Sequence, residues 1–166
     1  GHAAFGWRGT VPLDGVIEEP LLMPQAVSAW RMGGGFTVII EHPQGTALIQ
    51  GSAAYKKYDF KDIAADVVFL GVSQLGALGK DYAEVYWQHT VTATGSHSVY
   101  PIHFDDLTQS FGDTQLPPRI IDDFEETASW LEEFRRRWDS DTSLFIPEFG
   151  KPMAIFLSPQ PNPDPP

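Results

Sequence analysis

The chain has no cysteine in its 166 residues. That excludes a disulfide framework, a thiolate zinc site and a cysteine nucleophile, and it leaves the redox compartment open. Cations are also scarce. The 11 Lys and Arg residues stand against 22 Asp and Glu, a formal charge of -11 that repels phosphate backbones and anionic headgroups. Neither nucleic acid nor a membrane surface is an expected partner. No apolar run approaches the roughly 18 residues of a spanning helix, and the first residues lack the charged and apolar regions of a signal peptide, so a soluble chain is expected.

Histidines are few and scattered. None of His2, His42, His89, His97 and His103 forms a His-x-His, His-x-x-x-His or His-Glu-x-x-His pair, so the sequence contains no self-contained metal site. Apolar and aromatic residues, at 42% and 13%, are in contrast sufficient to fill one core. One domain is expected over residues 1–158. Residues 159–166 (PQPNPDPP) form a proline-rich tail in which regular pairing is forbidden and disorder is expected.

Glycine and proline recur too often in residues 1–30 for a helix to propagate, which reads as loop. Residues 36–42 (FTVIIEH) and 46–50 (TALIQ) flank Pro43, Gln44 and Gly45, the pattern of an antiparallel hairpin. The continuous apolar run 65–72 (ADVVFLGV) predicts a strand covered on both faces. A helical pattern over 80–91 and a further apolar run over 98–104 (SVYPIHF) complete a βαβ unit with parallel strands. Residues 122–138 predict the strongest helix, acidic at its start and carrying Arg135, Arg136 and Arg137 at its end. The run 153–157 (MAIFL) predicts an edge strand. The fold class is α/β, a mixed sheet with covering helices.

His103 is the leading candidate for chemistry. The sequence Ile102-His103-Phe104-Asp105-Asp106 sets an imidazole and two carboxylates where a core strand opens into a loop, the end of a parallel sheet at which functional groups gather. An imidazole can bind a divalent metal through one nitrogen while a carboxylate holds the other N–H. The plainer reading is a strand-end histidine, with Asp106 capping the next turn of chain. His42, just before Pro43, reads first as the end of a hairpin strand. His89 and His97 read as surface or packing residues. Ser52 follows a strand, as nucleophiles often do, but Gly-x-Ser-x-Gly is absent. Gly33, Gly34 and Gly35 precede a strand and so read as a turn instead of a phosphate loop. Asp122, Asp123, Glu125 and Glu126 read as a solvated first helical turn.

Four segments together resemble one known arrangement. Residues 40–45 (IEHPQG), 50–53 (QGSA), 65–72 (ADVVFLGV) and 101–106 (PIHFDD) are similar to the C-terminal half of metallo-β-lactamase-fold hydrolases. The likeness is strongest to a branch of uncharacterised hydrolases in which a strand ends in a Pro-Ile-His-Trp-Asp-Asp-like sequence, here with Phe104. It covers about residues 1–107.

The resemblance implies half of an αββα sandwich whose metal ligands come mostly from a His-x-His-x-Asp-His motif that this chain lacks. It implies His103 as the last metal ligand and His2 as a further one. The metal-bridging aspartate of the family corresponds to Ser52, which cannot bridge two ions. Asp105, Asp106, Ser52 and His42 would orient ligands or line the substrate site.

The implied cofactor is a divalent metal, zinc before others, and the implied activity is hydrolysis of an ester, lactone, amide or phosphoester in a small-molecule substrate. Two histidines are too few for the usual three or four zinc ligands. Either an absent N-terminal half supplies the others, or the chain alone is inactive. The inner sheet face of a half-sandwich predicts pairing with that half or with another copy. The alternatives are a non-catalytic interaction module that keeps half of the fold without metal, and a serine hydrolase using Ser52.

Overall fold

A computed structural model of the chain describes residues 15–31, 36–55, 60–106, 108–110, 112–146 and 148–156. His2, the glycine triplet at 33–35 and the tail expected at 159–166 lie outside the described residues. Of the expected loop over 1–30, the described part from residue 15 is irregular apart from a short 3-10 turn at Val27–Ala29.

The hairpin forms as the pattern predicts. β1 (Thr37–His42) and β2 (Gly45–Gln50) pair antiparallel from Thr37↔Gln50 to His42↔Gly45, with Pro43 and Gln44 as the two-residue turn. β3 (Val67–Gly71) then joins β2 in parallel, and β4 (Ser98–Ile102) and β5 (Ser143–Leu144) follow in parallel. The result is a five-stranded mixed sheet in sequence order. β3 lies at its centre because its apolar residues can be covered on both sides, and only Phe69 in it is not fully buried. Pro101 is tolerated within β4 for a positional reason. His97 and Val99 face β5 and accept its Ser143 and Phe145 amides, so the alternating backbone turns Pro101 to the same side, beyond the last β5 residue.

Between β3 and β4 the chain forms α1 (Leu75–Leu78) and α2 (Lys80–Trp87), and α2 runs on through a π-helical turn at Gln88–Thr92. Between β4 and β5 comes α3 (Phe124–Trp138). The side chain of Asp123 caps it by accepting the Glu126 amide at 3.0 Å, and Arg135 to Arg137 occupy its last turn. The helices lie on one face of the sheet. Ala83, Tyr86 and Trp87 from α2 and Leu131 and Phe134 from α3 pack there with Leu48, Val68, Leu70, Val72 and Val99.

The other face is covered thinly. Ala47, Val67 and Tyr100 are buried there beside Phe69, Phe145, Ile155 and Phe156. Their neighbours on the same face of β1, Val38 and Ile40, remain 49% and 47% exposed. The edge strand expected at 153–157 does not form. The free ladder of β4 is taken by β5, which reaches it a few residues after α3, and Ile155 and Phe156 instead pack on the sheet face as irregular chain. Leu157 lies outside the described residues.

Candidate functional site

The carboxyl ends of β2, β3 and β4 form one edge of the sheet. Gln50 pairs with Leu70 and Leu70 with Pro101, so the chains leaving these strands emerge side by side. Ser52 leaves β2, Ser73 and Gln74 leave β3, and His103 leaves β4. Ser52 and His103 are two strand spacings apart, about 10 Å.

Backbone shape at this edge is unusual. His103 (φ 60°) and Gln74 (φ 65°) are the two non-glycine residues in the left-handed region among the described residues. Both stand at the ends of neighbouring parallel strands. Val72 donates its amide to the Ile102 carbonyl at 3.0 Å, so the turn carrying His103 lies against the turn carrying Gln74. The imidazole of His103 is exposed.

The edge is held from beneath by tyrosines. The hydroxyl of Tyr86, fully buried, lies 3.0 Å from the Gly71 carbonyl and 3.1 Å from that of Ser52, and Tyr82 donates to the Ala53 carbonyl at 2.8 Å. Burial pushes the Tyr86 phenol well above its ordinary value of 10.0, and Tyr82 adds to the shift. The amide of Gln50 donates to the Ser52 carbonyl at 3.2 Å and to that of Ala54. Segment 52–55 is thereby fixed on the helix face of the sheet.

The remaining residues expected at a site occupy different places. Asp105 is half-exposed in the loop that follows His103. The carboxylate of Asp106 is engaged in its own loop, accepting from the Thr108 amide at 2.9 Å, the Thr108 hydroxyl at 2.7 Å and the Gln109 side chain at 2.9 Å. Those bonds, the Gln109 one foremost, hold its carboxyl below the usual range.

His42 is not brought to His103. It pairs with Gly45 at the amino end of β2, the opposite edge of the sheet, where it stacks on Phe156 with ring centroids 5.9 Å apart. Three strand spacings across the sheet and the length of β2 along it separate the two histidines by roughly 20–25 Å. His89 packs on Tyr55, ring centroids 5.2 Å apart, and His97 is exposed.

One residue of the edge departs from the sequence reading. Asp122, expected in a solvated helical turn, lies outside α3 and is buried at 7% exposure. Its Oδ2 accepts the Gln74 amide at 2.6 Å, and its buried Oδ1 faces Gly76 at the start of α1. Burial raises its carboxyl above the ordinary value, the Gln74 and Gly76 amides oppose that rise, Asp123 adds to it, and the field of His103 opposes it. The signal available in the sequence is the doublet itself, because Asp123 takes the cap position and leaves Asp122 one residue outside the helix.

As a set of metal donors, the described residues are incomplete. His103 has a suitable type and exposure for one ligand, but no three His, Asp or Glu side chains among the described residues converge as a cation would need. Nor does Ser52 meet a histidine there: the hydrogen bonds at Ser52 run to its backbone carbonyl. No helix among the described residues is long and apolar enough to cross a membrane. No family model, curated protein or solved structure matches the chain.

Proposed function

We propose that the chain is the C-terminal portion of a metal-dependent hydrolase of metallo-β-lactamase type, with His103 as one metal ligand. The observation that carries this reading is the placement of His103, exposed at the carboxyl end of β4 on a left-handed turn, at the sheet edge shared with Ser52. The reading also draws on the resemblance of 40–45, 50–53, 65–72 and 101–106 to that family. A divalent ion, zinc before others, would supply an activated water and polarise the bond of an ester, lactone, amide or phosphoester.

His103 would contribute one nitrogen to that ion. Ser52 and Asp105 would stand beside the substrate. His2 and an N-terminal half carrying the remaining ligands would complete the set. The thinly covered sheet face, with Val38 and Ile40, is the surface on which that half would complete an αββα sandwich.

Metal analysis tests this reading. The purified chain, alone and with any N-terminal partner, is expected to retain zinc, iron or manganese in at least one form, and His103→Ala is expected to lower the bound amount. No bound metal in either form overturns the hydrolase reading. The same exposed sheet face favours a second reading, an interaction module without metal, which predicts partner binding that survives His103→Ala.

A further inference from the structure

We propose that the outer edge of β1 is a dimerisation site, at which a second copy of this chain adds its own β1 antiparallel about a two-fold axis beside Ile39. The sheet has one long open edge. β1 stands at one end of the strand order and pairs with β2 alone, whereas β5, at the other end, is two residues long and offers little ladder. The Thr46 carbonyl accepts the Asp66 amide at 2.8 Å, so Thr46 faces β3 and, by alternation, Gly45, Ala47 and Ile49 face β1. Their partners His42, Ile40 and Val38 face inward, which turns the amides and carbonyls of Thr37, Ile39 and Glu41 outward. The devices that commonly blunt an edge are missing from it: β1 (TVIIEH) contains neither Lys nor Pro, and its pairing with β2 runs without a bulge.

The pattern of β1 fits itself. With Ile39 facing Ile39 of the other copy, Thr37 faces Glu41, and every outward amide meets an outward carbonyl. Val38 and Ile40, 49% and 47% exposed, then oppose each other on the open face, and the two Ile39 side chains, 43% exposed, meet on the helix face. Charge selects this register over its neighbours. The chain carries -11, so a second copy is held only where acids are kept apart. Glu41 is the one acid of β1, and an axis beside it would set two carboxylates face to face. An axis beside Ile40 would bring Pro43, which has no N–H, opposite Thr37. The axis beside Ile39 leaves the two Glu41 side chains about 14 Å apart, beyond the screening length of about 8 Å, each next to a threonine.

One long open edge closes the assembly at two copies instead of extending it into a filament. The contact is small, near the lower limit of about 1,000 Å² for a stable interface, so the dimer is expected to dissociate below about 10 µM. Dilute unfolding measurements therefore read the monomer. The proposal is independent of the hydrolase reading, and a dimer that forms without metal would stand even where metal analysis removes that reading.

Sedimentation of the full chain between about 1 and 300 µM tests it, with a passage from monomer to dimer as the expected result. Amide exchange on the same chain should show Thr37, Ile39 and Glu41 slowing as concentration rises. The chain has no cysteine, so Ile39→Cys gives each copy a single thiol. In the paired strands the two Cα atoms would lie about 5.5 Å apart, within the span of a disulfide, whereas those of Ile40→Cys would lie about 8 Å apart, outside it. Oxidised glutathione should link Ile39→Cys about tenfold faster than Ile40→Cys, and Ile39→Lys should raise the dimer Kd about tenfold. A monomer at every concentration, equal linking of the two cysteine variants, or a dimer indifferent to Ile39→Lys overturns the proposal. A chain that is monomeric alone but gains protection at β1 when an N-terminal partner is added assigns the edge to that partner and overturns it as well.

Discussion

A Cβ built on Gly71 would stand 2.7 Å from the Ser52 amide nitrogen and 2.7 Å from the Gln50 carbonyl, so the chain leaving β2 runs directly across the last residue of β3. Glycine is required here by space and not by its dihedral angles. The side chain that any other residue brings must push Ser52 away from the sheet edge.

Gly71→Ala is therefore expected to cost about 1–3 kcal/mol, the scale of overpacking a filled interior. The neighbouring Gly51 is the control, since a Cβ there meets nothing within 4 Å. Gly51→Ala should stay within about 0.5 kcal/mol of the parent. Urea denaturation of the two variants measures the contrast, and equal midpoints would contradict the close approach.

Tyr86→Phe removes the hydroxyl that lies between the Gly71 and Ser52 carbonyls, and the loss of that buried donor should cost about 1–2 kcal/mol at neutral pH. The sign with pH is set by its raised pKa. Above the ordinary value of 10.0 the unfolded chain releases the phenolic proton while the folded chain retains it, so stability falls as pH rises from there towards the folded value. The parent should lose stability between about pH 10 and 11 more steeply than Tyr86→Phe. Denaturation series at pH 8 through 11 would show parallel curves if Tyr86 were accessible to water.

Ile39 and Leu48 are directly paired across β1 and β2, yet Ile39 is 43% exposed and Leu48 is wholly buried. Leu48→Ala should cost about 2–5 kcal/mol. Ile39→Ala should cost about 1 kcal/mol, because nearly half of its surface stays in water on folding. A comparable loss at both positions in chemical denaturation would mean that β1 is covered in solution by a second copy or another partner.

Asp139 ends α3 by accepting the Trp87 indole N–H and the Thr92 hydroxyl, each at 2.7 Å. Trp87 is fully buried, and this partly exposed carboxylate is the acceptor its N–H has among the described residues. Asp139→Ala should cost about 2–3 kcal/mol, the range for a hydrogen bond to a charged acceptor. Thermal unfolding would place it well below the parent, and an unchanged midpoint would argue against this link between α2 and α3.

Residue pattern alone determined the hairpin, the central strand, the parallel βαβ unit and the long capped helix. Each is written in short-range periodicity: alternation around Pro43 and Gln44, an unbroken apolar run over 65–72, and an apolar stripe over 122–138 between acids and arginines. The position of His103 at a strand end was equally local. Only the tertiary structure decided which strand completes the sheet, since the two-residue β5 has no periodicity of its own and prevails over the more apolar run at 153–157 because α3 delivers it to the free side of β4.

The tertiary structure likewise separated His42 from His103, because an antiparallel hairpin sends the end of β1 to the edge opposite the carboxyl ends of β2, β3 and β4. It also buried Asp122 beneath Gln74, a relationship across 48 positions that neither composition nor spacing encodes. Local sequence sets which elements can form, and the burial of a polar group among them depends on how those elements pack.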